Sequence, residues 1–249
     1  MTKVLLCGAC GKMGYTVAKT VENTDNVQIV AGFDIKTADL GFPVYTSLDD
    51  IKEEVDAIID FSHPALTDSI LDYSVKNKIP YVLCTTGLSN EQIARVKKEA
   101  EKTAIFYSAN MSLGINLLID LVQRAAKLLE DNFDIEIIEK HHNLKLDAPS
   151  GTALAIADAL SEAVSYEPEY TYDRHSVRKK RDKTEIGIHS LRGGTIVGEH
   201  SVIFAGCDET IEVKHTATSK EVFAVGAVKA AQFMKGAKPG LYAMKDLIK

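Results

Sequence analysis

The chain has little of what would make it a disulfide-stapled, membrane-embedded or polyanion-binding protein. Four cysteines in 249 residues, Cys7, Cys10, Cys84 and Cys207, are too few and too scattered for a disulfide framework, and they point to a reducing cytoplasm. The apolar runs fall well short of the ~20 residues of a membrane-spanning helix. The opening MTKVLLCG has neither a charged leader of useful length nor a cleavage site, so it reads as a first strand, and no membrane association is expected. Positive charge is not in excess either: 29 Lys and Arg against 35 Asp and Glu leave a formal net charge of −6, unsuited to a nucleic-acid partner. The one strongly basic run, 173–185 (DRHSVRKKRDKTE), has no aromatic side chains to stack on bases. It reads either as a solvated, mobile loop, or as a segment that attracts an anionic substrate or cofactor phosphate or crosses a subunit interface. Internal repeats and low-complexity segments are absent.

What remains is an ordinary globular composition, 45% hydrophobic and 26% charged, long enough for one large or two modest domains. Over the first hundred residues short apolar runs at 4–6, 27–33, 57–61, 81–84 and 105–107 alternate with helical stretches at 11–22, 48–54, 66–77 and 90–102. Strands apolar on both faces between amphipathic helices predict a parallel sheet covered on both sides. From Asn110 the pattern changes: a long helix at 115–129, a strand at 135–140, a helix at 152–163 opened by Ser150, and several strands over 184–216 with a turn at Gly193-Gly194. The last helix, 222–234, has no partner in that half and is assigned to the first. The expected class is α/β, a Rossmann-type dinucleotide-binding domain (1–112 plus 220–249) with an inserted α+β domain for substrate binding and oligomerisation (113–219).

Strand 3–7 runs into Gly8-Ala9-Cys10-Gly11-Lys12-Met13-Gly14 and then a helix. Glycines at this spacing let the chain turn sharply, bring N–H groups against a pyrophosphate and pack helix on strand. Asp34 follows the second strand, where a carboxylate accepts from adenosine ribose hydroxyls and favours NAD. Lys12 or Lys36 could offset that charge and tolerate NADP. Cys84, Thr85 and Thr86 end the fourth strand, and Ser108, Ala109, Asn110 and Met111 end the fifth; both segments reach the crevice where a dinucleotide lies. Cys7 and Cys10 also form a C-x-x-C, but a zinc site would need two further ligands that neither a second such pair nor spaced histidines supply, so no metal is expected.

The richest segment is Glu139 to Ala153, EKHHNLKLDAPSGTA. It places His141, His142 and Lys145 in one short loop and opens a helix with Ser150, Gly151 and Thr152. A proton donor, cationic groups and a helix N-terminus suit a substrate that carries carboxylates and must receive a proton.

GACGKMG, DFSHP (60–64), CTTG (84–87), ANMSLGIN (109–116), EKHHNLKLDAPSGTA, RGGTIVGEH (192–200) and HTATSK (215–220), in this order, resemble the 4-hydroxy-tetrahydrodipicolinate reductase (dihydrodipicolinate reductase) family of bacterial lysine biosynthesis, essentially from end to end. The resemblance implies NADH- or NADPH-dependent reduction of a cyclic dicarboxylate to tetrahydrodipicolinate. It implies His141 as general acid assisted by Lys145, and His142, Lys145, Ser150, Gly151 and Thr152 as the substrate-binding residues. It also implies a homotetramer built through the inserted domain. Many members carry glycine at Cys84, phenylalanine at Met111 and arginine at Lys12. Where arginine often follows the acidic residue this chain has Ile35, which favours NADH. Two other classes compete: another two-domain NAD(P)-dependent amino-acid or keto-acid dehydrogenase, and a non-catalytic dinucleotide-binding redox sensor using Cys7 and Cys10.

Overall fold

The computed structural model describes residues 1–108 and 110–248. The chain divides into two compact units, Met1–Leu113 with Lys220–Lys249, and Gly114–Ser219.

The first unit begins with β1 (Thr2–Cys7), α1 (Lys12–Glu22), β2 (Val27–Phe33), β3 (Val44–Tyr45), β4 (Ala57–Asp60), α2 (Thr67–Asn77), β5 (Tyr81–Leu83), α3 (Asn90–Glu99) and β6 (Ala104–Tyr107). The expected helix at 48–54 is one 3₁₀ turn, Leu48–Asp50, because Ile51 is extended and the Glu53 carboxylate accepts from Tyr45 Oη, 2.9 Å, and from Lys52 N–H. Leu48, Ile51 and Val55 still pack on the core, so their helix-like spacing reports burial without a helix. Helix α3 is capped by Ser89, whose hydroxyl accepts from Gln92 N–H while the Gln92 side chain accepts from Ser89 N–H.

The second unit contains most of α4 (Leu113–Leu129), then β7 (Asp134–His141), α5 (Gly151–Ala163), β8 (Glu169–Thr171), β9 (Glu185–Arg192), β10 (Gly198–Ala205) and β11 (Thr210–Ala217). The chain then returns to the first unit through α6 (Glu221–Met234), β12 (Gly240–Tyr242) and α7 (Met244–Leu247).

The first sheet runs β12-β6-β5-β4-β1-β2-β3, every pairing parallel. Its order reverses at β1, between β4 and β2, so the carboxyl ends of those strands open a crevice. Alternate residues of β1 serve opposite faces: Val4 and Leu6 pack with Val17 and Val21 of α1 and Ala227 and Ala231 of α6, while Leu5 and Cys7 pack with Ile70 and Leu71 of α2 and Val96 of α3. A parallel sheet covered on both sides needs this double apolarity.

The second sheet, β11-β10-β7-β9-β8, is mixed, with β7, β9 and β8 parallel and β10 and β11 antiparallel. Along β7 the burial alternates, and Ile135 and Ile137 meet Leu118 and Val122 of α4 and Ala153, Ile156 and Leu160 of α5. The basic run is not a freely solvated loop. Arg174 donates to Glu185 and Glu136, Arg181 to Glu136 and Asp134, and Lys183 to the Phe133 carbonyl. Its cations answer an acidic patch on β7 and β9, where Arg174 and Lys179 hold the Glu185 carboxyl down to about 2.

Helix α6 approaches the backbone so closely that a Cβ on Gly226 would lie 1.7 Å from the Met111 carbonyl oxygen. Gly226→Ala should therefore destabilise the protein by about 1–3 kcal/mol, as overpacking does. Urea unfolding should show a lower midpoint at unchanged slope; an unchanged midpoint would mean that α6 is not seated this closely.

Candidate functional site

In the first unit β1 ends in a cradle made by backbone. Gly8 has φ +76°, and a Cβ there would stand 2.6 Å from the Phe61 carbonyl oxygen. A Cβ on Gly14 would come within 2.3 Å of the Gly8 carbonyl oxygen, so α1 can lie against the loop only with glycine at that place. Gly11 caps α1, with its N–H on the Gly8 carbonyl. Lys12 is exposed, and Ala9 is buried while Met13 packs on the core. Asp34 is 9% exposed, and its carboxylate accepts from Cys10 N–H at 2.9 Å and Ile35 N–H at 2.8 Å, so it also pins the glycine loop.

Gly8, Gly11, Asp34 and Thr86 line a cleft of about 390 Å³ together with Phe61, Ser62 and His63. These three follow β4 in the DFSHP segment, and their place past a strand end beside the reversal of strand order is the signal that finds them. Cys84 and Thr85 are buried just behind, where Thr85 Oγ1 donates to the Ser62 carbonyl, 3.3 Å. Ser108 donates to the Asn110 carbonyl, and the Asn110 side chain accepts from Ser112 N–H. The Met111 side chain sits in the apolar core, so as a wall it faces other side chains. Ala109 lies outside the described residues. A cleft framed by close-approach glycines and one carboxylate fits a dinucleotide. Burial pushes the Cys7 thiol well above its usual range and Cys10 upward, which disfavours the thiolate that dithiol chemistry uses.

In the second unit the site is made of side chains. Glu139 is on the buried face of β7 with no exposed surface. Arg192 at the end of β9 donates twice to it, 2.7 Å from Nη1 and 2.7 Å from Nη2, Ser150 N–H donates at 3.1 Å, and His141 Nδ1 lies at 2.6 Å. Burial alone would raise the Glu139 carboxyl; the donors from Arg192, His141, Ser190 and Ser150 outweigh it and bring it down to about 2. An ionised carboxylate only accepts, so Nδ1 of His141 carries the hydrogen. Nε2 is then the atom left for chemistry, and it faces Gly198, where a Cβ would stand 3.2 Å away.

His200 of β10 packs edge-on against His141, ring centres 5.2 Å apart, and shares the Ser150 hydroxyl at 3.1 Å. Its burial, and next the neighbouring His141, lower it to about 4. Ser150 caps α5 by accepting from Ala153 N–H. The loop between is tied by Gly193 N–H on the His141 carbonyl and Asn143 N–H on the Gly194 carbonyl. Lys145 Nζ lies 2.8 Å from the Asp147 carboxylate, and His142 Nδ1 is buried with no partner among the described residues. A Cβ on Gly151 would meet nothing within 4 Å, which leaves open space at the start of α5. Glu139, Arg192 and His200 carry no role in the motif reading; Arg192 is 53 positions from Glu139, and only sheet register brings them together.

Two family models divide the chain: "Dihydrodipicolinate reductase, N-terminus" matches residues 2–111 and "Dihydrodipicolinate reductase, C-terminus" matches 114–248. A curated 4-hydroxy-tetrahydrodipicolinate reductase from Caldanaerobacter subterraneus subsp. tengcongensis is 53% identical, covering 100% of this chain and 99% of its own. One from Clostridium novyi is 48% identical at 100% and 99% coverage. Among solved structures, dipicolinate-bound dihydrodipicolinate reductase from Paenisporosarcina sp. TG-14 superposes with a TM-score of 0.84 at 25% identity, covering 99% of each chain.

Two of the perturbed groups, His200 and Glu139, make the site lose stability in acid. His200 is lowered from 6.5 to about 4, so the unfolded chain binds its proton first and stability falls as pH drops from about 6.5 to 4. Glu139, lowered from 4.5 to about 2, adds a second loss between those values. Melting temperature against pH should show both, and His200→Gln should reduce the slope of the upper window, to which His215, also lowered by burial, contributes the rest. An unchanged upper slope in that variant would mean His200 is not buried in its neutral form.

Proposed function

The chain belongs to the dihydrodipicolinate reductase family, and we propose that it reduces 4-hydroxy-tetrahydrodipicolinate to tetrahydrodipicolinate with His141 as the proton donor. The observation that carries this reading is the ionised, buried Glu139 on His141 Nδ1, which leaves Nε2 as the exchangeable position. When bound, NADH or NADPH supplies the hydride. The backbone of Gly8 to Gly14 would hold its pyrophosphate, Asp34 its adenosine ribose, and Cys84 to Thr86 with Ser108 to Met111 the rest of the crevice.

Loss of the 4-hydroxyl as water gives a conjugated imine; addition of hydride to it leaves an electron-rich enamine that takes up a proton at carbon, and a histidine is suited to deliver it near neutral pH. Lys145, His142 and the first N–H groups of α5 at Gly151 and Thr152 are assigned to the carboxylates, where a cation and a helix N-terminus both favour negative charge. Ser150 has its N–H on Glu139 and its hydroxyl at Ala153 N–H and His200, so its part is to hold the helix start. We place the enzyme in the cytoplasm and assemble it as a homotetramer through the second sheet, a reading supported by four free cysteines and by exposed Leu191 and Ile211 on β9 and β11.

The decisive experiment pairs two variants. His141→Ala should lower kcat by about 10²–10⁴-fold with little change in KM. Lys145→Ala should weaken pyridine-2,6-dicarboxylate binding by the about 1.5–3 kcal/mol of a charged hydrogen bond, read by titration calorimetry. Normal turnover in the first, or normal binding in the second, removes that residue from its role.

Asp34→Asn removes a charge that repels a 2′-phosphate, so the ratio of NADH to NADPH efficiency (kcat/KM) should fall. A ratio that holds or rises would place Asp34 away from the adenosine ribose.

A further inference from the structure

The mechanism uses Glu139 only as the acceptor of His141 Nδ1–H, and leaves unused the arginine that begins the RGGTIVGEH segment. Arg192 donates through both terminal nitrogens to Glu139, and Nη2 also donates to the Asp147 carbonyl at 2.6 Å. The same carboxylate takes His141 Nδ1–H and Ser150 N–H. Together the pair holds the proton donor and the start of α5 through Glu139, and the loop that carries Lys145 through Arg192.

We propose that Glu139 and Arg192 are positioning residues for the reductase reaction: the carboxylate fixes which nitrogen of His141 is presented, and the guanidinium, by sharing that carboxylate, sets how tightly His141 holds its proton. The inference rests on His141 being the proton donor.

A carboxylate alone beside an imidazole would favour the imidazolium strongly and make it a reluctant acid. With Arg192 in place the pair is formally neutral, so Glu139 orients the His141 ring while the guanidinium offsets the carboxylate charge. Bidentate geometry matters, because it keeps both oxygens occupied and aimed. The other titratable or polar groups around the pair are themselves uncharged or paired. His200 from β10, lowered to about 4, is neutral at working pH. Ser150 from α5 is uncharged. Lys140 on β7 is paired with Glu199 and Lys145 in the loop with Asp147. His215 on β11 is lowered by burial.

The test is Glu139→Gln, Arg192→Gln and the double variant, each followed by the NMR titration of the His141 imidazole in the full chain and by the pH profile of kcat. Glu139→Gln should move the His141 midpoint down and Arg192→Gln should move it up, each by on the order of one pH unit. The double variant should return toward the parent. The high-pH limb of kcat should follow the midpoint each time, with kcat lowered by up to about 10²-fold through lost orientation. Midpoints that stay fixed, or shift in the same direction, overturn the proposal. Midpoints that move oppositely while the limb stays fixed overturn the proton-donor reading of His141, and with it the role of the pair in the reaction. Should Glu139→Gln fail to fold, Arg192→Lys decides: it restores the charge, so the midpoint should return while kcat stays reduced. Loss of both effects together with Arg192→Gln unshifted would refute the pair.

Discussion

An ionised carboxylate withdrawn from water must be met by donors on every side, and Glu139 imposes that demand on the second unit. The period of β7 puts it on the buried face with Ile135 and Ile137. The donors it needs come from three places: β9 through Arg192, α5 through Ser150 and β7 itself through His141. Removing one partner of such a buried pair typically costs about 3–5 kcal/mol, so the register His141 opposite Arg192 is held by electrostatics as well as by apolar burial. A slip of one residue would turn Glu139 to the opposite face and leave Arg192 without its partner.

The first unit meets its ligand by a different physical route. Its cradle is made of backbone, and its specificity for shape comes from what is absent: side chains at Gly8 and Gly14 would strike carbonyl oxygens. Asp34 links the two requirements, since the carboxylate assigned to the ribose also receives Cys10 N–H and so stiffens the loop assigned to the phosphates. A backbone cradle suits a cofactor common to many enzymes, whereas the side-chain cluster around His141 suits one substrate.

Where residue pattern and structure part, a tertiary contact is the cause. The apolar spacing at Leu48, Ile51 and Val55 reads as helix, yet the chain there extends after one turn because packing on the sheet and the Tyr45–Glu53 bond satisfy it otherwise. The basic run reads as solvated from its own composition, but its partners Asp134 and Glu136 lie some forty residues earlier on β7.

By itself the sequence determined the class of fold and its family. Strand and helix periods, the turns that demand glycine and the motif around His141 are local properties, and a local property is written in neighbouring residues. Only the tertiary structure decided which nitrogen of His141 carries hydrogen, that Arg192 neutralises Glu139, that His200 stays neutral against the histidine ring, and that Phe61, Ser62 and His63 complete the cleft. Each of these depends on charges or surfaces brought together across a sheet from distant positions. Their energies are set by burial, which no stretch of residues specifies alone.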